Sequence, residues 1–404
     1  MDSLTQMALG AACGEVVLGK KVGNRAMLWG AIGGTIPDLD VIGNLFLDEV
    51  GALAFHRGIS HSFLFAVLAP LLFGWLVHRL YDSNYYKTGV WKGIVTALNI
   101  GFVLMVGFVI WFITKTAGGG SPSYGAVAVA AAGGGLFIFW LVKNYLTADL
   151  EEVIASKKDW MWLFFWSIFT HPLLDCCTAY GTQLFQPFWD YRVAFNNISV
   201  ADPLYTIWFL LFLTMAGVLT RKSKRRRIFT WFAILFSSGY LLFTFYHKVR
   251  MDDIFEKSLV EQNIDFNRYM TSPTILNNVL WSGTAETEDA FYQGLYSFWD
   301  TEPRITEFRR FPKNHELLAP YDGSRETRIL KWFSNDYYNV MQRADGKLQF
   351  NDLRYGTMTT GEDNFVFFFW LEEMPDGSLS VTQPDERDVG ENVMNDLWMR
   401  IKGK

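Results

Sequence analysis

The sequence predicts a mostly α, polytopic membrane domain of about eight membrane helices or half-helices over residues 1–249, followed by a small soluble α+β domain over 250–404. Three observations predict it. Hydrophobic residues are 50% of the 404 and aromatic residues 17%, a heavy aromatic load for a soluble enzyme. Charge divides at residue 250, with 20 Lys/Arg against 14 Asp/Glu before it (+6) and 16 against 27 after it (−11), which sums to the net −5. The texture changes at the same place, from long apolar runs to short alternating segments. This division argues against a disordered or nucleic-acid-binding chain.

Taken in order, runs approaching the roughly 20 apolar residues that cross a bilayer occur at 62–78, 94–113, 124–146, 160–175, 204–220 and 228–246. Two shorter runs, 5–19 and 26–44, carry GAACGEVVLG and GAIGGTIPDLD, whose small residues let helices approach closely. Basic residues supply an independent reading, because cytoplasmic loops collect Lys and Arg. If the connections alternate, one set holds 15 basic residues, including the RKSKRRR run at 221–227, and the other only 5. The loops 37–61 and 176–203 and everything after 250 are then expected on the outer side. The basic run reads as topology anchoring with attraction to anionic lipid, ahead of nucleic-acid binding. The start MDSLTQMALG lacks the basic region of a signal peptide and reads as retained. Cys13, Cys176 and Cys177 imply no disulfide framework and no paired-cysteine zinc site. The Gly-rich 118–125 stretch is the most linker-like segment. After 250, NVMQRADGKLQFNDLRYG and FVFFFWLEEMPDGSLSVTQ each read as strand, Asp-Gly turn, strand, while IDFNRYMTSPTILNNVLWSG and ETEDAFYQGLYSF read as mixed helix and strand.

Six histidines are few for this length. His56, His61 and His171 fall in or beside the expected outer connections, close to carboxylates. In Pro37-Asp38-Leu39-Asp40 an extended chain would point Asp38 and Asp40 the same way, as two hard oxygen ligands, although a solvated helix end with a Pro-Asp turn is the plainer reading. In His56-Arg57-Gly58-Ile59-Ser60-His61 a tight turn would let both imidazoles converge, and Arg57 could clamp an anion; an interfacial loop with a snorkelling Arg57 is the alternative. His171 and Asp175, four apart, share one helix face. Asp202 precedes Pro203 and equally reads as a helix start. Glu15 is an intramembrane carboxylate that could serve as ligand, base or packing partner. A mixed imidazole and carboxylate set suits one or two divalent ions, zinc ahead of manganese or magnesium, and such an ion polarises a phosphoryl oxygen and lowers the pKa of water toward about 7. No GxSxG, P-loop or GxGxxG pattern competes.

PDLD, HRGISHS and HPLLDCCTAYGTQLFQPF together resemble the YdjM-like family of bacterial inner-membrane proteins, described as predicted metal-dependent hydrolases, over roughly residues 1–205. The resemblance implies a relation to the zinc-dependent phospholipase C and single-strand nuclease superfamily, a mostly helical fold and a multinuclear zinc site. Carried over by position, Asp38, Asp40, His56, His61, His171 and Asp175 would be the ligands. Members often have a histidine where this chain has Thr5-Gln6, so Asp2, Gln6, Glu15 or Asp202 would have to complete the site. The reading is a membrane-embedded hydrolase acting on a phosphoester of a lipid or lipid-linked substrate at the outer face of the inner membrane. In it Arg57 meets the substrate anion, Glu15 and Thr178 are further candidates for the chemistry, and Tyr180 supports. A metal transporter and a scaffold with a structural metal are the competing classes; no nucleic-acid partner is expected, and protein partners are open.

Overall fold

The computed structural model describes residues 1–117, 123–357, 365–384 and 393–403. Most of the Gly-rich 118–125 stretch therefore lies outside the described residues. Two compact units form, one from Met1–Leu71 with Trp162–Lys404 and one from Leu72–Met161.

In the first unit, α1 (Ser3–Val22) and α2 (Asn24–Thr35) form a tight antiparallel pair. The fit depends on absent side chains: a Cβ on Gly10 would lie 2.3 Å from the Gly30 carbonyl oxygen, and one on Gly34 would lie 2.4 Å from that of Gln6. A 3-10 segment, Pro37–Leu45, leaves α2 and leads to α3 (Glu49–Phe55), a second 3-10 turn at Ile59–His61 and α4 (Phe63–Asp82). The chain re-enters this unit in α7 (Lys157–Asp175) and continues through α8 (Pro203–Gly217) and α9 (Lys224–Glu261). Asp202 caps α8 by accepting from Leu204 N at 3.0 Å.

The second unit holds α5 (Gly89–Ala117) and α6 (Tyr124–Leu141), packed on each other, with the flanking parts of α4 and α7. Tyr81 stacks on Trp160 at 5.2 Å, and Lys92 Nζ donates to the Ala148 carbonyl at 2.6 Å. Only 6% of the apolar windows of α5 and α6 is buried, so their side chains face outward.

Among the described residues four helices are long and apolar enough to cross a membrane, Phe63–Asp82, Gly89–Phe112, Tyr124–Leu146 and Lys224–Glu261. This corrects the expectation of about eight. The other four fall short for identifiable reasons. α2 has 12 residues and α8 has 15, about 18 and 22 Å at 1.5 Å per residue. α1 carries Glu15, Lys20 and Lys21, and α7 carries Lys157, Lys158, Asp159, His171 and Asp175.

After the membrane segment α9 runs on through residue 250, placing Met251, Ile254, Phe255 and Leu259 in a core with Trp281, Ala285 and Tyr296. Two antiparallel four-stranded meanders follow: β1 (Arg268–Pro273), β2 (Leu280–Glu286), β3 (Ala290–Ser297), β4 (Arg309–Pro312); and β5 (Tyr338–Gln342), β6 (Leu348–Asp352), β7 (Phe368–Glu373), β8 (Leu379–Thr382). Both Asp-Gly turns fall where the sequence places them, with Gly346 at φ 85 and Gly377 at φ 80, values that favour glycine. The stretches read as mixed helix and strand are β1, β2 and β3. α10 (Arg325–Ser334) lies in the core of the second sheet through Leu330 and Phe333, and Leu53 of α3 joins that core. α11 (Val393–Ile401) ends the described chain.

Candidate metal centre

Asp38, His61, His171 and Asp175 bring four donor atoms within 4.8 Å of one another. Each arrives from a different constraint. One turn of α7 separates His171 from Asp175 and puts both on one face, as the spacing predicts. Asp38 stands at the start of the 3-10 segment that Pro37 opens. His61 closes the 3-10 turn after Arg57, whose φ is +56, and Gly58. The chain folds back sharply there, and α4 begins two residues later.

The hydrogen bonds fix which nitrogen of each ring faces inward. His171 Nδ1 lies 2.6 Å from the Gly34 carbonyl oxygen, which can only accept, so Nδ1 carries a proton and Nε2 is the nitrogen turned into the cluster. His61 Nδ1 faces Asp40 Oδ2 at 3.4 Å and Ser60 Oγ at 3.0 Å, which turns its Nε2 the same way. The two Nε2 atoms stand 3.1 Å apart. From His171 Nε2 the carboxylates of Asp38 and Asp175 lie at 3.3 and 3.2 Å, and from His61 Nε2 at 3.5 and 3.3 Å. A regular tetrahedron of N and O donors around an ion at about 2.1 Å has edges of about 3.4 Å. Five donor separations are 3.1–3.5 Å, near that figure, and the Asp38 and Asp175 oxygens lie within 4.8 Å of each other.

Asp175 is divided between two tasks. Its Oδ1 receives Gln6 Nε2 at 3.0 Å, Arg57 Nη2 at 3.3 Å and the Met1 amino group. Its Oδ2 is buried, has no hydrogen-bond partner, and faces the two imidazoles. Burial works against the charge on Asp175, but Arg57, the Met1 amino group and His171 outweigh it and hold the carboxyl well below the usual carboxylate range. Burial works against the charge on Asp38 as well, but the His171 and His61 rings outweigh it and hold the carboxyl well below the usual carboxylate range.

The predicted residues separate into groups. Asp38, His61, His171 and Asp175 converge. Asp40 and His56 form an adjoining pair, Asp40 Oδ1 to His56 Nδ1 at 2.9 Å, with Asp40 Oδ2 also accepting from the Arg57 backbone N at 2.8 Å. Asp38 and Asp40 diverge because the segment is a 3-10 helix, where residues two apart lie about 120° apart around the axis, not the extended chain expected. Arg57 Nη1 donates to Thr178 Oγ1 at 2.9 Å, and its guanidinium lies 4.8 Å from the Tyr180 ring. Glu15 lies outside the cluster, in a bidentate pair with Arg226 at 2.6 Å to each oxygen. Asp2 caps α1, and Asp202 caps α8 while accepting from Tyr240 at 2.9 Å. Gln6 and the Met1 amino group reach the centre from the N-terminal segment, Gln6 through Asp175 Oδ1 at 3.0 Å and the His171 carbonyl oxygen at 3.2 Å. Sequence reading missed Ser60 as a partner of His61, and the Gly34 carbonyl carries no sequence signal.

Beside the cluster lies a cavity of about 640 Å³, whose walls include Leu47, Leu53, His56, Tyr180, Phe367 and Phe369. Ligand sites commonly have this size. His56, whose side chain is 33% exposed, connects the cavity to Asp40. With Nδ1 on Asp40, Nε2 is left for the cavity.

The YdjM inner membrane protein family matches over residues 1–251, a stretch that contains every one of these cluster residues and stops before β1. No curated protein and no solved structure matches significantly.

Proposed function

The chain belongs to the YdjM inner membrane protein family, and from that premise we propose that it is a membrane-embedded, metal-dependent hydrolase acting on a phosphoester of a lipid or lipid-linked substrate. The observation that carries the reading is the convergence of two imidazole nitrogens and two carboxylate oxygens within 4.8 Å of one another, three of the four residues buried. Two His and two Asp suit zinc, with manganese or magnesium as alternatives. A divalent ion there supplies Lewis acidity toward a phosphoryl oxygen and toward water.

The chain's own residues take the remaining roles. Gly34 and Asp40 hold the two imidazoles in the orientation that presents Nε2, and Ser60 supports His61. Arg57, Gln6 and Thr178 orient Asp175: Arg57 and Gln6 hold Oδ1, and Thr178 Oγ1 donates to the Asp175 carbonyl at 2.8 Å. His56, whose Nδ1 is backed by Asp40, presents Nε2 to the cavity as the nitrogen that exchanges a proton with substrate or water. Glu15 receives no chemical role in the proposal, because Arg226 takes both of its oxygens.

A lipid substrate is supported by position. His61 stands two residues before the candidate span Phe63–Asp82, at the boundary between chain that crosses and chain that does not. Val41, Leu45 and Phe46 near it are 54, 78 and 83% exposed, an apolar rim suited to acyl chains. The proposal puts the centre on the outer face, since Lys20, Lys21, Arg25 and the 221–227 run cluster at the far ends of α1, α2 and α9.

A second reading, a structural metal, is favoured by one observation: four protein donors already close a tetrahedral shell. Hydrolysis is supported against it by the partial exposure of the Asp38 side chain, 19%, and by the adjoining cavity. The deciding experiment is elemental analysis of the purified chain beside His61→Ala and His56→Ala, with bis(4-nitrophenyl) phosphate as the hydrolysis probe. The hydrolase reading expects near-stoichiometric metal lost in His61→Ala but kept in His56→Ala, with turnover falling on the order of 100-fold or more in both. Metal retained and turnover absent in every form would leave the structural reading standing.

A further inference from the structure

The end of α1 opposite the metal centre carries a second built feature. Lys20, Lys21 and Arg25 flank the α1–α2 turn, and Arg221, Lys222, Lys224, Arg225 and Arg227 flank the α8–α9 turn, eight basic residues from two distant parts of the chain. The two turns are bolted together. Arg221 Nη1 donates to the Lys21 carbonyl at 2.6 Å, and Asn24 Nδ2 donates to the Gly217 carbonyl at 2.9 Å. Arg226 turns inward and is fully buried; it grips Glu15 bidentately, Asn24 Oδ1 at 2.7 Å and the Leu219 carbonyl at 2.8 Å. Its neighbours Arg225 and Arg227, with Lys20, Lys21, Lys222 and Lys224, are exposed.

The stretches 16–36 and 203–251 contain no Asp or Glu. Glu15 is consumed by Arg226. Apolar side chains stand beside the charges: Val218 is 80% exposed, Ile228 50% and Trp231 48%, and α9 enters a candidate membrane span from this end. Topology anchoring requires only a number of positive charges near the ends of spans. A fixed arrangement, drawn from two turns by a buried ion pair, is more than that requirement. Its chemistry is a cationic platform with an apolar skirt, and such a surface complements a phosphate headgroup whose acyl chains lie along α8 and α9.

We propose that the joined α1–α2 and α8–α9 turns bind the headgroup of an anionic phospholipid as a discrete site. The inference is independent of the hydrolase reading, because it uses none of the metal-centre residues.

The test uses the full chain in neutral detergent and native mass spectrometry, with short-chain phosphatidylglycerol and short-chain phosphatidylcholine as probes. Saturable retention of the anionic lipid, weaker retention of the zwitterionic one, and loss at raised ionic strength are expected. The triple variant Lys222→Gln/Arg225→Gln/Arg227→Gln should weaken phosphatidylglycerol by about tenfold or more, since each exposed cation contributes to lipid attraction. A control of equal charge, Lys257→Gln/Arg304→Gln/Arg310→Gln, changes exposed residues of the carboxy-terminal part and should leave retention unchanged. Equal retention of both lipids, an equal effect of the two triple variants, or a single-stranded oligonucleotide that displaces the lipid at matching concentration would each overturn the proposal.

Discussion

Two carboxylates are buried at opposite ends of α1, and the protein treats them in opposite ways. Glu15 gives one oxygen to Arg226 Nε and the other to Nη2, each at 2.6 Å, so every strong acceptor site is matched by a donor the chain itself supplies. Asp175 is at least as buried, yet only Oδ1 is matched by directed hydrogen bonds and charges, from Gln6, Arg57 and the Met1 amino group, while Oδ2 lies 3.2–3.3 Å from the two imidazole Nε2 atoms. Burial disfavours any charge that is not compensated. A carboxylate complete in itself reads as structure, and one left half-complete reads as a place for something the chain does not encode.

The largest effect expected from this comparison is at the complete end. Glu15→Gln leaves the buried Arg226 guanidinium without its counter-charge, a change that costs about 3–5 kcal/mol in soluble proteins. Thermal unfolding in detergent should show a large drop, while metal bound per folded molecule stays at the wild-type level. Metal lost with the fold intact would mean that the two ends are coupled and that the contrast is false.

At the incomplete end two effects separate. Asp175→Asn takes the counter-charge from the buried Arg57 and Met1 amino group, so the metal-free protein should lose stability here too. It should also lose the response to metal. A ligand that binds only the folded form stabilises by about 2.7 kcal/mol at one hundred times its Kd, and this increment should appear on adding zinc to wild type and vanish in Asp175→Asn. A zinc-dependent shift that survives the substitution would remove Asp175 from the ligand set.

The comparison also bears on what a sequence can reveal. His171 and Asp175 were legible because helix periodicity alone places residues four apart on one face. The Asp-Gly hairpins were legible because turn chemistry is local. Asp38 and Asp40 were legible as a pair but not as a pair that divides, since that depends on a 3-10 segment where extended chain was expected. The partner of Glu15 lies 211 residues away and the acceptor of the His171 proton is a backbone carbonyl, so neither could be found by reading residue types along the chain. Apolar content signalled helices at 5–19, 26–44, 160–175 and 204–220, and did not signal that these are shorter or more charged than the four that meet the length and hydropathy of a span.

The finest test concerns Asp40, which stands behind His61 and His56 and is itself a carboxylate two residues from Asp38. If Asp40 were a ligand, Asp40→Asn would strip the metal as Asp175→Asn does. If it acts by holding His61 Nδ1, at 3.4 Å, and His56, at 2.9 Å, the ion should remain but more weakly. Changes of this kind behind a ligating histidine typically cost 10–100-fold in metal affinity. Competition with a chelator of known affinity reads that interval directly. Stability without metal should move little, as the Asn amide can still receive the Arg57 backbone N–H, now at 2.8 Å from Oδ2. Complete metal loss would enlarge the centre to five residues, and no change at all would detach the His56–Asp40 pair from it.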